Sequence, residues 1–220
     1  SVINIDNDTY GTTVTPTTLS MDEDGAAQTS TIVLRTRPTS TVRFNITSSN
    51  TSRATVSPSF VEFLATGDSW RTAQTVTVTP VDNFIADGNA TPNIAFSPGI
   101  SDDNNYKNHV PSAVVVTVND DDVANIVVDN ISGYTTSEYG DEVTFTIELN
   151  SEPTDEVTID ISSSNTDEGT VDIPQVVFNQ TTWSTAVTIT VTGIDDALPT
   201  VDGNQPYSIQ FTPAVSDDEN

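Results

Sequence analysis

The sequence predicts an all-β chain of two antiparallel β-sandwich domains in tandem, and three observations carry that expectation. Thr, Ser, Val, Asp and Asn dominate its 220 residues, with 12 Pro and 10 Gly. β-Branched residues suit pleated strands, and the others supply turns. Apolar and polar residues alternate over short runs, and no stretch carries the 3.6-residue spacing of an amphipathic helix. Finally, the sequence repeats itself at offsets of 113 to 115 positions, close to the length of one sandwich of about 100 residues.

The repeat is legible in four blocks. Residues 45–50 (Asn-Ile-Thr-Ser-Ser-Asn) return as 160–165 (Asp-Ile-Ser-Ser-Ser-Asn), and 70–82, opening on Trp70, return as 183–195, opening on Trp183. Asp87-Gly88-Asn89 returns as Asp202-Gly203-Asn204, and 96–103 as 211–218.

In the first unit, alternation predicts strands over 31–36, 42–47, 60–64, 75–79, 93–97 and 113–118, preceded by a weaker one at 12–19. Over 75–79, Val76 and Val78 face the core while the threonines face water. The second unit offers 126–128, 143–149, 157–161, 176–178, 187–192 and 207–211. One polar face per strand fits antiparallel sheets packed as a sandwich, not a parallel sheet covered on both faces.

Residues 1–8 (Ser-Val-Ile-Asn-Ile-Asp-Asn-Asp) resemble 114–121 (Val-Val-Val-Thr-Val-Asn-Asp-Asp) at an offset of 113. The expected organisation is therefore 1–8 as the closing strand of a preceding or neighbouring repeat, 9–122 as the first sandwich, and 123–220 as a second sandwich lacking its last strand. Two accounts fit this arrangement. The chain is a window from a longer array, or the 2–5 strand of one copy completes the open second sandwich of another.

The chain carries 32 acidic and 6 basic residues, a net charge of −26. Such a balance argues against nucleic acid, where Lys and Arg neutralise phosphates, and against anionic membrane surfaces. It suits a chain that binds cations, or one that works in high salt where self-repulsion is screened. There is no cysteine, which points to a prokaryotic rather than a disulfide-stapled eukaryotic surface or secreted protein. No apolar run approaches the roughly 20 residues of a membrane span. No export signal is visible at Ser1, so it was removed or lies upstream.

Catalysis finds little support. A nucleophile–His–acid triad needs more than the single histidine, His109, in a chain without Cys. Carboxylates are numerous but fall in turns, and neither a phosphate-cradling Gly-rich loop nor zinc-type spacing is present. No enzyme is expected. Trp70 and Trp183 hold the same place in each unit and are expected to cover one end of the core, with sugar stacking as the alternative. Tyr106 and Tyr207 carry no signal.

Several blocks together resemble the Calx-β-like repeats of bacterial surface and adhesion proteins. They are Ser137-Glu138-Tyr139-Gly140, 149–153 (Leu-Asn-Ser-Glu-Pro), 163–170 (Ser-Ser-Asn-Thr-Asp-Glu-Gly-Thr) and 191–196 (Val-Thr-Gly-Ile-Asp-Asp). Asp202-Gly203, 216–218 and 118–122 (Val-Asn-Asp-Asp-Asp) complete them, and the resemblance spans both units. It implies an immunoglobulin-like sandwich with a Ca2+ site on three loops at one end. Carried over to this sequence, the first unit supplies Asp82, Asp87, Asp120, Asp121 and Asp122, with Glu23 or Glu138 joining from the entry strand. The second supplies Asp195, Asp196 and Asp202. Its terminal acidic run is absent, so that site is incomplete or is finished by Asp6 and Asp8 of a neighbour. Asn83 stands where the second unit has Asp196, and an amide is a weaker calcium ligand. The competing reading is that these aspartates simply cap turns and keep the surface soluble. Three consecutive carboxylates repel one another, which favours a cation.

The expected function is a structural repeat of an extracellular stalk, adhesin or filament, rigidified by calcium at domain junctions and assembling head to tail by strand complementation. The alternatives are an adhesion module that binds a surface glycan or protein, or a surface-layer subunit. The expected partners are adjacent repeats or copies of the chain itself.

Overall fold

The structure, a computed structural model, describes residues 2, 3, 5, 7–129, 134–195 and 203–218. Its strands are β1 Thr12–Thr15, β2 Thr18–Asp22, β3 Gln28–Leu34, β4 Val42–Ser48, β5 Ala54–Ser57, β6 Phe60–Phe63, β7 Gln74–Pro80, β8 Asn93–Phe96 and β9 Val114–Asn119. They continue with β10 Ile126–Asp129, β11 Glu142–Leu149, β12 Val157–Ser163, β13 Gly169–Val171, β14 Gln175–Phe178, β15 Val187–Gly193 and β16 Ile209–Phe211. The one helical element among the described residues is a 3-10 turn, Ser69–Arg71, and no helix is long and apolar enough to cross a membrane. The chain divides into two compact units. Unit 1 is Ser1–Asn83 with Gly88–Asp121, and unit 2 is Phe84–Asp87 with Asp122–Asn220.

Unit 1 is a sandwich of two sheets, β1-β3-β7-β5 and β2-β9-β8-β4-β6. Alternation becomes burial along each strand. Val76 and Val78 of β7 lie inward, as do Val42, Phe44 and Ile46 of β4 and Val114, Val116 and Val118 of β9. Inward residues of both sheets form one core, and its apolar area, removed from water, is what holds the two layers together.

The run predicted at 12–19 is two strands in different sheets. β1 pairs antiparallel with β3 as far as Thr15. Pro16 has no N–H to continue a ladder, and the chain crosses to the other sheet without reversing. There β2 pairs parallel with β9, from Thr18↔Val115 to Asp22↔Asn119, whereas alternation alone predicts antiparallel pairs. The unexpected strand β5 has only Ala54 buried and Val56 partly buried, too short an alternation to mark a strand in the sequence. It forms because β7 offers it an antiparallel ladder, Ala54↔Pro80 to Ser57↔Thr77.

Unit 2 is a sandwich of β10-β11-β15-β13 and β14-β12-β16. At offsets of 113 to 115 these strands are the counterparts of β1-β3-β7-β5 and β6-β4-β8. Phe145, Ile147, Leu149, Ile159, Phe178 and Ile189 lead its core. β16, shorter than the predicted 207–211, is the edge of its sheet, whereas its counterpart β8 lies between β9 and β4.

Two tyrosines without a sequence signal anchor the units. Tyr106 is wholly buried, and its hydroxyl donates to the Thr36 carbonyl at 2.8 Å and accepts the Thr36 amide at 3.1 Å. Tyr207 is half-buried, its hydroxyl 2.6 Å from that of Thr136. Asp103, buried, accepts the amides of Thr39 at 2.6 Å and Asn105 at 2.8 Å. Burial raises its pKa, but these amides and Tyr106's together hold it below the usual carboxylate value. Trp70 and Trp183 each pack, partly buried, against the core of their own unit.

Candidate metal centre

The most developed polar site sits where β2 and β9 end. Leu19 and Met21 point inward from β2, and Glu23 keeps their parity one step past its end, at 1% exposure. Its amide donates to the Asn119 carbonyl at 3.0 Å, extending the parallel pairing by one residue. The backbone therefore drives a carboxylate into the end of the sandwich. A buried carboxylate costs several kcal/mol unless it is paired and hydrogen-bonded.

Arg53 and Asn83 supply partners. Arg53, 6% exposed, places Nη1 3.5 Å from Glu23 Oε2, and its Nη2 donates to the Gly88 carbonyl at 2.9 Å. Asn83 Nδ2 donates to the same Glu23 oxygen at 2.8 Å. The Gly88 amide donates in turn to Asp120 Oδ2, and the Asp120 amide donates to Asn89 Oδ1 at 2.9 Å. Arg53 thus couples the buried glutamate to the loop that orients Asp120.

Glu23, Asp120 and Asp122, the last two half-buried, offer carboxylate oxygens within 4.8 Å of one another. At 4.8 Å, two unit charges repel by about 3.5 kcal/mol at an effective dielectric of about 20. The Arg53 guanidinium stands beside Glu23. Three hard carboxylate donors held this close suit a divalent cation such as Ca2+.

Among the described residues, the other sequence-predicted ligands are not members of this trio. Asp82, Asp87, Asp121 and Asp8 are exposed, as are Glu138 and Asp195 of unit 2. Asp6, Asp196 and Asp202 lie outside the described residues. Of the two entry-strand candidates, Glu23 is the one drawn into the site. Its parity with Leu19 and Met21 is the signal that marks it. Arg53 carried no motif, yet the repeat does single it out. At the corresponding position, 115 residues on, unit 2 has Glu168. The backbone there is alike, with the Ile194 amide donating to the Glu168 carbonyl at 3.0 Å as the Val81 amide does to that of Arg53 at 3.0 Å. The side-chain charge is reversed.

No protein-family model and no curated protein matches the chain. Among solved structures, it is similar to CBD12 from CALX1.2, at 12% identity over 92% of this chain and 80% of that one, with a TM-score of 0.41. It is also similar to the calcium binding domain CBD12 of CALX1.1, at 14% identity over 81% and 74% with a TM-score of 0.41. A third is the periplasmic chaperone SfaE, at 12% identity over 94% and 98% with a TM-score of 0.40. At these scores the likenesses add nothing to the sandwich fold already described.

Proposed function

We propose that the chain is a structural repeat of an extracellular, prokaryotic stalk, adhesin or filament, stiffened by Ca2+ at its acidic loops. The observation that carries this reading is the trio Glu23, Asp120 and Asp122, three carboxylates within 4.8 Å of one another, with the Arg53 guanidinium beside Glu23. Glu23, Asp120 and Asp122 would hold the ion, which would neutralise their mutual repulsion. Arg53 and Asn83 fix the orientation of Glu23, and the Gly88 amide fixes that of Asp120. Because Asp120 directly follows β9 and Glu23 directly follows β2, a cation there ties two strand ends together and stiffens the loops beyond them. Repetition of the unit and a net charge of −26 suit an array of soluble beads exposed to millimolar extracellular calcium.

Calorimetric titration tests the reading. Ca2+ should bind the wild-type chain saturably, and Asp120→Asn should weaken that binding at least tenfold while leaving the far-ultraviolet circular dichroism unchanged. Absence of saturable heat, or equal affinity in the variant, would contradict it.

A further inference from the structure

Six asparagines stand in Asn-x-Ser/Thr triplets, at positions 7, 45, 50, 89, 130 and 179. In a chain this rich in Asn, Ser and Thr, the triplet by itself carries nothing. The fold separates the six by what it does with each carboxamide. Asn130 lies outside the described residues.

Asn50 and Asn179 open turns built alike. Asn50 lies just past β4, and its carbonyl accepts the Arg53 and Ala54 amides at 3.4 and 3.1 Å. Its Oδ1 bends back and accepts the Ser52 amide at 3.1 Å and the Ser52 hydroxyl at 2.7 Å. Asn179 directly follows β14, and its carbonyl accepts the Thr182 and Trp183 amides at 3.0 and 3.1 Å. Its Oδ1 accepts the Thr181 amide at 2.9 Å and the Thr181 hydroxyl at 2.7 Å, with the Thr182 hydroxyl at 3.3 Å. Both asparagines are exposed. With Oδ1 committed to the turn, Nδ2, bonded to the same carbon, faces out of it.

Among the described residues, no other triplet asparagine receives the hydroxyl two positions on. Asn45 lies inside β4, half-buried and paired with Phe60, and its Oδ1 accepts Arg43 Nε at 3.2 Å. Asn89 Oδ1 accepts the Asp120 amide. Asn165, the counterpart of Asn50, makes the same turn through the Asp167 amide at 3.2 Å. The turn itself therefore serves folding, and the added hydroxyl is what sets Asn50 apart.

We propose that Asn50 and Asn179 are N-glycosylation sites, acceptors of a sugar that a glycosyltransferase takes from a diphosphate ester at the sugar's C1. Nδ2 forms the new bond to C1 as the C1–O bond breaks. The diphosphate leaves with that electron pair, and the nitrogen gives one proton to a base of the transferase. An amide nitrogen is a poor nucleophile because its lone pair is shared with the carbonyl. The bonds to Oδ1 make its N–H more acidic and hold it towards an incoming donor. One site falls on each unit, and the assignment does not depend on the cation site.

Peptide mass spectrometry of the chain isolated from its native cells tests this, with fragmentation that leaves the sugar attached. Asn50 and Asn179 should carry a saccharide mass, and Asn45, Asn89 and Asn165 should be bare. Made in the same cells, Ser52→Ala should lose the sugar at Asn50 and keep that at Asn179, while Ser52→Thr should keep both. Ser52 is exposed, so both variants should retain the wild-type circular dichroism spectrum. A bare Asn50 or Asn179 in the wild-type chain overturns the proposal. Sugar on Asn45 or Asn89 also overturns it, as does a Ser52→Ala chain still modified at Asn50.

Discussion

Glu23 and Arg53 form a pair in which both side chains are nearly out of solvent, at 0% and 7% exposure. Removing one partner of such a pair leaves a buried, uncompensated charge, which costs about 3–5 kcal/mol. Arg53→Met should therefore lower the stability of unit 1 by about 3 kcal/mol in urea unfolding, and adding Glu23→Gln should recover most of the loss. A single variant within 0.5 kcal/mol of wild type would mean that the pair is solvated in solution. His109 gives a second test at this scale. Its ring lies among Tyr10, Phe44 and Tyr106, with Nε2 3.1 Å from the Thr12 hydroxyl. Burial, with the Arg35 charge adding to it, lowers its pKa. The folded state then binds its proton later than the unfolded state as pH falls. The stability this contributes is complete above about pH 6.5 and drains away as pH falls through the depressed folded value. His109→Gln, which can still bond Thr12, should flatten the stability profile between about pH 7 and 5. An unchanged slope would assign that titration to other groups.

At the level of elements, most strands were legible because their inward faces are regular runs of Val, Ile and Phe. Those that were not legible depend on a neighbour. β5 and β13 have few buried residues and exist through their ladders to β7 and β15. The crossing at Pro16 was missed although the run carries its mark, since the buried Val14 and Leu19 lie five positions apart and cannot share one face of a single strand. Glu23 was legible as an entry-strand candidate, and its parity with Leu19 and Met21 points it inward, but its depth is fixed by the parallel β2–β9 pair, which the sequence does not announce. Tyr106 was illegible because its anchoring role requires Thr36, 70 positions away. Tyr106→Phe keeps the ring and removes the hydroxyl's bonds to the Thr36 amide, carbonyl and side-chain hydroxyl, so it should cost about 1–2 kcal/mol and speed hydrogen exchange at the Thr36 amide. Equal exchange in the variant would show that the bond does not hold that loop. The two units also compensate within their elements. A Cβ at Gly169 would run into the Tyr207 ring, whereas unit 1 has Ala54 and Pro92 at these places. Gly169→Ala should accordingly destabilise unit 2, although alanine is the natural residue at the unit 1 position.

Across the whole molecule, a charge of −26 opposes folding by self-repulsion, which any salt relieves by screening. A bound divalent cation acts differently, because it stabilises the folded state by mass action, by about 2.7 kcal/mol at 100 times its Kd. The two tryptophans allow the units to be followed separately, Trp70 packing on one core and Trp183 on the other. The most direct measurement is thermal unfolding monitored by Trp70 fluorescence in a Trp183→Phe chain, at fixed ionic strength, with calcium and with chelator. The midpoint of unit 1 should rise in calcium well beyond the effect of an equivalent amount of monovalent salt, and Asp120→Asn should abolish the rise. A midpoint that responds to ionic strength but not to calcium would mean that the protein partners of Glu23, Arg53 and Asn83 among them, suffice to hold it, and that the acidic loops serve only solubility.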